Sequence, residues 1–271
     1  MLKDITLGQF FPGNSILHKL DPRIKLILTI LFIALVFLAS GVLSYILVLL
    51  FTALIVIISK IPFKTIVKSL KPIVFILIFT SFLNIFWTVG ENLVFSFGII
   101  KIYREGIEFA VLMVIRIVSL LTGTSVILTY TTSPIMLTDG LERLLSPLKY
   151  LKVPVHEFSL MMTIALRFIP TLIDETDKIM NAQKSRGADF STGSIIDRAK
   201  SLIPVLIPLF ISSFRRADEL ATAMECRCYN GGENRTKMNT PKLTLLDILV
   251  VAVFILAGVA VIIVNNVGGL L

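Results

Sequence analysis

The stretch LILTILFIALVFLASGVLSYILVLLFTALIVIIS, residues 26–59, contains 34 residues and no charged side chain. A helix needs about 20 apolar residues to cross the hydrocarbon core of a bilayer. The stretch is too long for one such helix and suits two, with Ala39-Ser40-Gly41 as the turn between them. This part of the sequence therefore predicts a pair of membrane-spanning helices.

The whole chain has the composition of a membrane protein. Of its 271 residues, 55% are hydrophobic and 16% are charged, whereas a soluble domain has about 25% charged residues. Further apolar runs cover residues 72–90, 107–138 and 248–264. We predict an all-α polytopic membrane protein with about five transmembrane helices. Residues 1–130 form a membrane domain with about four spans in this prediction, residues 131–242 a cytoplasmic domain, and residues 243–271 a C-terminal transmembrane helix.

The distribution of basic residues predicts the orientation in the cell membrane. Four lysines and no acid crowd the short loop expected between the second and third runs: Lys60, Lys64, Lys68 and Lys71. Short cytoplasmic loops carry an excess of lysine and arginine. We therefore place this loop and the N-terminus in the cytoplasm, and the loop over residues 87–103 outside. The net charge of +8 is explained by this topology, and no nucleic-acid partner is expected.

Residues 131–242 are amphipathic rather than spanning. They hold 15 of the 26 basic residues and 12 of the 18 acidic residues. Between the charges, apolar residues recur at a period close to 3.6, as in Leu160, Ile164 and Phe168. The pattern predicts about three amphipathic helices at the inner membrane face. Three prolines are expected to kink or interrupt them: Pro170, Pro204 and Pro208.

The two longer amphipathic segments end alike, in Ser185-Arg186-Gly187 and in Cys226-Arg227-Cys228. In each, an aspartate lies nine residues before the arginine and an alanine four residues before it. Glycine follows within a few residues, which is a stop signal for a helix. A single arginine near a helix C-terminus is adequately explained by the helix dipole. Two copies in matching contexts indicate two helix tips that enter two equivalent grooves on a partner, where a guanidinium supplies up to five hydrogen-bond donors.

With these motifs the chain resembles the transmembrane T component of energy-coupling-factor transporters. The cytoplasmic helices of that family end in two short Ala-Arg-Gly-like motifs; residues 185–187 match the first closely, and residues 226–228 match the second more loosely. The second motif has cysteine where the family has alanine and glycine, and cysteine is also a small residue. Further familial segments are residues 138–148, 153–157, 165–171 and 214–220.

The resemblance implies a coupling subunit without cofactors or catalytic residues. Such a chain holds two ABC-type ATPase subunits below and a membrane-embedded substrate-binding S component beside it, for uptake of vitamins or metal ions. The resemblance places the ATPase-docking contacts at the two helix tips, and thus at residues Ser185, Arg186, Gly187, Cys226, Arg227 and Cys228. The S component would select the substrate.

Other functions remain as alternatives: a permease subunit of an ordinary ABC importer, an ATP-independent secondary transporter or channel, or a membrane enzyme. No phosphate-binding G-x-x-x-x-G-K-[ST] loop occurs in the sequence, so ATP hydrolysis is expected in partner subunits. His156-Glu157 lacks the second histidine of a zinc-protease motif, and Cys226-x-Cys228 lacks companion ligands. No metal site is therefore predicted. For Arg167, two hypotheses stand: an ion pair with Glu157 or Asp174, or contact with a partner.

Overall fold

The computed structural model describes residues 10–90, 92–97, 100–190, 192–232 and 243–268, and most of these are helical. The helices are α1 (Ile16–Lys19), α2 (Pro22–Leu38), α3 (Val42–Ser59), α4 (Phe63–Trp87), α5 (Arg104–Thr124), α6 (Pro134–Leu144), α7 (Val155–Ser185), α8 (Ile195–Glu225) and α9 (Leu245–Gly268). Two antiparallel strands, β1 (Leu93–Phe97) and β2 (Ile100–Tyr103), lie between α4 and α5. The prediction of an all-α polytopic membrane protein is confirmed. The strand pair is an addition that the sequence did not predict.

Four stretches of helix among the described residues are long and apolar enough to cross a membrane: Val42–Ser59, Phe63–Trp87, Arg104–Tyr130 and Leu245–Asn266. The third of them includes a π-helical segment, Ser125–Tyr130, that continues α5. Helix α2 corresponds to the first predicted span. Its 17 residues lie at the lower limit of spanning lengths, which run from about 17 to 25 residues.

Helix α4 begins earlier than the sequence predicts. Only residues 60–62 separate α3 from α4, so Lys64, Lys68 and Lys71 belong to the first turns of α4. The prediction of a loop over residues 60–71 is therefore wrong. Lysine is a good helix former, and charge alone does not end a helix. The three prolines that were expected to kink or interrupt the amphipathic helices do not end them either. Pro170 lies inside a continuous α7, and Pro204 and Pro208 lie inside a continuous α8.

The described residues form two compact units: a membrane unit of residues 10–90, 92–97, 100–141 and 243–268, and an α7–α8 unit of residues 142–190 and 192–232. In the membrane unit, Phe32 of α2 is fully buried and packs in one core cluster with Val126 and Ile127 of the π-helical segment. A Cβ atom at Gly123 would overlap the ring of Phe32. Glycine at this position therefore allows α5 to approach α2 closely.

Buried polar groups join the start of α2 to the start of α9 within the membrane unit. The ammonium of Lys25, only 2% exposed, donates a 2.8 Å hydrogen bond to the carbonyl of Thr131. Burial disfavours its charged form, and the nearby carboxylates of Asp21 and Asp247 offset part of that cost electrostatically. The backbone N–H of Asp21 donates to Oδ1 of Asp247 at 3.0 Å, while Oδ2 of Asp247 accepts from the hydroxyl of Thr244 at 2.7 Å. Burying a charge is costly, and these hydrogen bonds and nearby opposite charges reduce the cost.

Helices α7 and α8 run in opposite directions in the α7–α8 unit. Glu175, in the second half of α7, accepts a 2.6 Å hydrogen bond from Arg216 of α8. Nearer its N-terminus, α7 instead faces the C-terminal end of α8 across a cavity. This order of contacts is that of an antiparallel pair, in which the half-buried Arg216–Glu175 ion pair holds one helix to the other.

Candidate docking site at two helix tips

The first tip, residues 185–187, closes α7 with a Schellman motif. Arg186 is followed by Gly187, which has a φ of 91°. The N–H of Gly187 donates to the carbonyl of Lys184 at 2.9 Å, and the N–H of Ala188 donates to the carbonyl of Gln183 at 3.0 Å. These two bonds define the motif, and they occupy carbonyls that a helix end otherwise leaves without a partner.

The second tip, residues 226–228, repeats this geometry after α8. Cys226 continues the helical conformation, and Cys228 takes the left-handed place with a φ of 55°. The N–H of Cys228 donates to the carbonyl of Glu225 at 2.8 Å, and that of Tyr229 donates to the carbonyl of Met224 at 3.0 Å. Arg186 and Arg227 therefore occupy the same position, immediately before the left-handed residue. The two tips, which are similar in sequence, therefore also share a backbone conformation.

All six residues of the two tips are exposed. Within the described ranges, the guanidinium groups of Arg186 and Arg227 have no ion-pair or hydrogen-bond partner. Their small neighbours, among them the free thiols of Cys226 and Cys228, leave each arginine accessible from several sides. An exposed planar guanidinium of this kind can bind a carboxylate or several backbone carbonyls.

Among the described residues, the thiols of the α8 tip have no companion side chains with which to form a metal site. Over the residues that the structure describes, no group of three or more histidine, cysteine, aspartate or glutamate side chains is placed to hold a metal ion. His156 was the other residue considered for a metal. Its Nδ1 atom lies 3.1 Å from Oε1 of Glu142 in α6, and the two side chains are hydrogen-bonded. Gly232 lies against the ring of His156, where a Cβ atom would come within 2.6 Å of Cδ2. This contact ties the chain that leaves the α8 tip to the first turn of α7.

A cavity of about 690 Å³ lies between the first half of α7 and the α8 tip. Arg167 and Arg227 both line it, and Leu160, Ile164, Phe168, Leu220 and Met224 contribute apolar walls. Arg167 is exposed and pairs with neither Glu157 nor Asp174. The intrachain pairing expected as one of two hypotheses for Arg167 is therefore wrong. Its place beside Arg227 had no signal in the sequence, because the two residues are 60 positions apart and meet only through the pairing of α7 with α8.

Comparison with known proteins identifies the family. The family model described as cobalt transport protein, CbiQ, matches residues 13–238. A protein of Ruminiclostridium cellulolyticum named energy-coupling factor transporter transmembrane protein EcfT is 58% identical over 253 residues, which cover 93% of this chain and 94% of that protein. The proteins of the same name from Clostridium kluyveri and Bacillus subtilis are 53% and 50% identical, over 92% and 88% of this chain and 92% and 89% of their own lengths.

These relatives are transmembrane proteins of a transporter by name, and the described part of this chain contains four helical stretches suited to crossing a membrane. The chain is thus a multi-pass membrane subunit of a transporter complex. The family model and the relatives together show that the chain belongs to the transmembrane T components of energy-coupling-factor transporters.

Proposed function

We propose that this chain is a non-catalytic coupling subunit that transmits the ATP-driven closure of two ATPase subunits to a membrane-embedded S component. The observation that carries the proposal is the pair of tips with one geometry, each presenting an exposed arginine before a left-handed residue. Two helix tips of the same geometry suit two equivalent grooves, and a dimer of ATPase subunits would supply such a pair of grooves. Uptake of vitamins or metal ions follows from the family, with the S component selecting the substrate.

The antiparallel pairing of α7 and α8 supports one ATPase subunit at each tip. Arg227 and Arg167 line the same cavity, and Arg186 follows Arg167 by 19 residues along α7. At 1.5 Å per residue, the tips are separated by roughly 28 Å along the helix pair. A small groove on one subunit cannot receive both arginines at that separation. Movement of two ATPase subunits towards each other would instead act on both ends of the pair.

The apolar side of α8 supports contact with a membrane-embedded partner. Large apolar side chains on this helix are between 41% and 68% exposed: Ile196, Leu202, Ile203, Leu206, Ile207, Phe210, Ile211 and Phe214. Only 14 uncharged residues lie between Lys200 and Arg215 of α8, fewer than the roughly 17 that a spanning helix needs. Exposed apolar patches rimmed by polar residues mark protein or membrane contacts. We assign this side of α8 to lipid and to the S component, with the tips and the N-terminus on the cytoplasmic side.

Substitution of the two arginines tests the docking role. Hydrogen bonds to charged groups are worth about 1.5–3 kcal/mol each, so R186A or R227A alone should weaken the complex while the other tip stays bound. Two linked contacts act at high effective concentration, and the double variant should therefore lose the ATPase subunits far more than either single variant. Lysine should rescue only in part, because an ammonium lacks the planar fork.

The measurement is recovery of both ATPase subunits on the tagged chain, together with uptake of a radiolabelled substrate through a matching S component. R215A is the matched control for recovery, since Arg215 is an exposed arginine of α8 that lies twelve residues before Arg227 and at neither tip. Assembly and transport at the parental level in the R186A/R227A chain would show that the two arginines are ordinary helix ends.

A further inference from the structure

The cavity beside the α8 tip is basic. Of the residues that line it, Arg167 and Arg227 are charged and none is acidic. Neither guanidinium has an ion-pair partner in the part of the chain that the structure describes. Two positive charges that share a cavity repel each other, and an anion between them would be attracted to both.

The helix geometry explains why α7 does not neutralise Arg167 itself. Glu157 precedes Arg167 by ten residues and Asp174 follows it by seven. At 1.5 Å per residue, these acids lie about 15 Å and 10 Å away along the axis, whereas side chains on one helix meet at a spacing of three or four residues. Arg216, by contrast, finds Glu175 on the neighbouring helix. Among the described residues the charge of Arg167 is thus not neutralised, and it is available to another group.

The walls of the cavity restrict what can enter. Leu160, Ile164 and Phe168 from α7 face Leu220 and Met224 from α8. A ligand that fits this lining has apolar surface on its sides and an anionic group at the end that reaches the arginines. A protein side chain carrying a carboxylate, with apolar neighbours, has this character, and the planar guanidinium binds a carboxylate through two parallel hydrogen bonds.

We propose that the cavity receives an aspartate or glutamate side chain of the ATPase subunit docked at the α8 tip, bound jointly by Arg167 and Arg227. This inference rests on the proposed docking of that tip and adds Arg167 as a specificity-determining residue. The occupant belongs to the ATPase because Arg227 already lies at the ATPase-docking tip, so whatever covers that tip also covers the cavity mouth.

A double-mutant cycle tests the shared carboxylate. The whole chain is reconstituted in lipid nanodiscs, and the Kd of the purified ATPase dimer is measured for R167Q, R227Q, R186Q and the pairs R167Q/R227Q and R167Q/R186Q. We expect R167Q to raise the Kd about tenfold, which corresponds to about 1.4 kcal/mol. R167Q should have little further effect in the R227Q chain, because both residues bind one group, and its full effect in the R186Q chain, because Arg186 binds elsewhere. R215Q is the matched control and should leave the Kd unchanged.

A zero-length carbodiimide cross-link identifies the occupant directly. R167K places an amine at the cavity in the assembled complex, and peptide mapping should show this amine coupled to a carboxylate of one ATPase subunit. R215K should give no such product. Coupling of the introduced amine only to acids of this chain or to phosphatidylserine, or no coupling, would overturn the proposal.

The docking of the tips and the role of Arg167 fail differently. An unchanged Kd in an R186Q/R227Q chain would overturn the docking of the tips and this inference with it. A raised Kd in that chain, with R167Q indistinguishable from R215Q, would overturn the role of Arg167 alone.

Discussion

Cys228 adopts a backbone conformation that favours glycine, with a φ of 55°. The equivalent residue of the other tip is Gly187, with a φ of 91°. A left-handed conformation costs a residue with a Cβ about 1–2 kcal/mol, while glycine costs about 0.4–1 kcal/mol of extra entropy in the unfolded chain. We therefore expect C228G to stabilise the end of α8 by roughly 0.5–1 kcal/mol.

Hydrogen exchange at the amide of Tyr229, which donates to the carbonyl of Met224, measures this local free energy. C226G is the control, because Cys226 has a helical φ of −59° and glycine there should weaken the helix by up to about 1 kcal/mol. Faster exchange in the C228G chain would contradict the strain assigned to Cys228.

The residues of the two tips could be found from sequence, whereas their surroundings could not. Arg186 and Arg227 stand out because the same aspartate and alanine spacings precede both. The identity of Cys228 does not signal its positive φ, since residues with a Cβ rarely adopt that conformation. Arg167 could be singled out from the sequence as a possible partner contact, but its relation to Arg227 could not, because that relation depends on how two helices pair in space.

At the scale of elements, the contact between α5 and α2 depends on a missing side chain. A Cβ atom at Gly123 would overlap the ring of Phe32, which is fully buried. G123A should destabilise the membrane unit by about 1–3 kcal/mol, as overpacking of a filled core does. F32L should recover part of that loss in the double variant, because it removes the ring that the new methyl group meets.

The thermal midpoint of the purified chain in detergent reports this effect. Gly258 of α9 provides the control, since a Cβ atom there would meet nothing within 4 Å. G258A should hold or raise the midpoint, because alanine is the better helix former. Equal midpoints for G123A and G258A would contradict the close approach of α5 to α2.

The apolar helices were predictable as elements because uncharged runs of spanning length have few other uses. Their ends were less predictable. Helix α4 begins at Phe63, nine residues before the uncharged run that predicts it. Lysine is compatible with a helix, so the helix extends beyond the apolar part of the sequence. The strands β1 and β2 are too short to give a periodic signal that distinguishes them from a loop.

For the whole molecule, the orientation in the membrane is open to a direct test. Residues 87–103 are predicted to lie outside and the helix tips inside. Val94 of β1 is 60% exposed, so V94C in a C226S/C228S chain should react with a membrane-impermeant thiol reagent on intact cells. In cells that produce the chain without ATPase subunits, Cys226 and Cys228 of the parent chain, which are exposed and free, serve as reporters for the opposite side and should react only after permeabilisation. Labelling of both positions from the same side would contradict the proposed topology.

The polar cluster around Lys25 has a consequence for how the chain is made. Asp21 and Asp247 are hydrogen-bonded to each other but lie 226 residues apart along the sequence. Ribosomes add about 5–20 residues per second, so Asp21 and Lys25 wait roughly 10–45 s for the carboxylate that completes their cluster. During that interval the polar start of α2 lacks its hydrogen bond to Asp247. Translation of α9 therefore ends the interval. A chain that stops short of α9 would leave the backbone N–H of Asp21 without its acceptor on Asp247, and a buried donor without a partner costs about 1–3 kcal/mol.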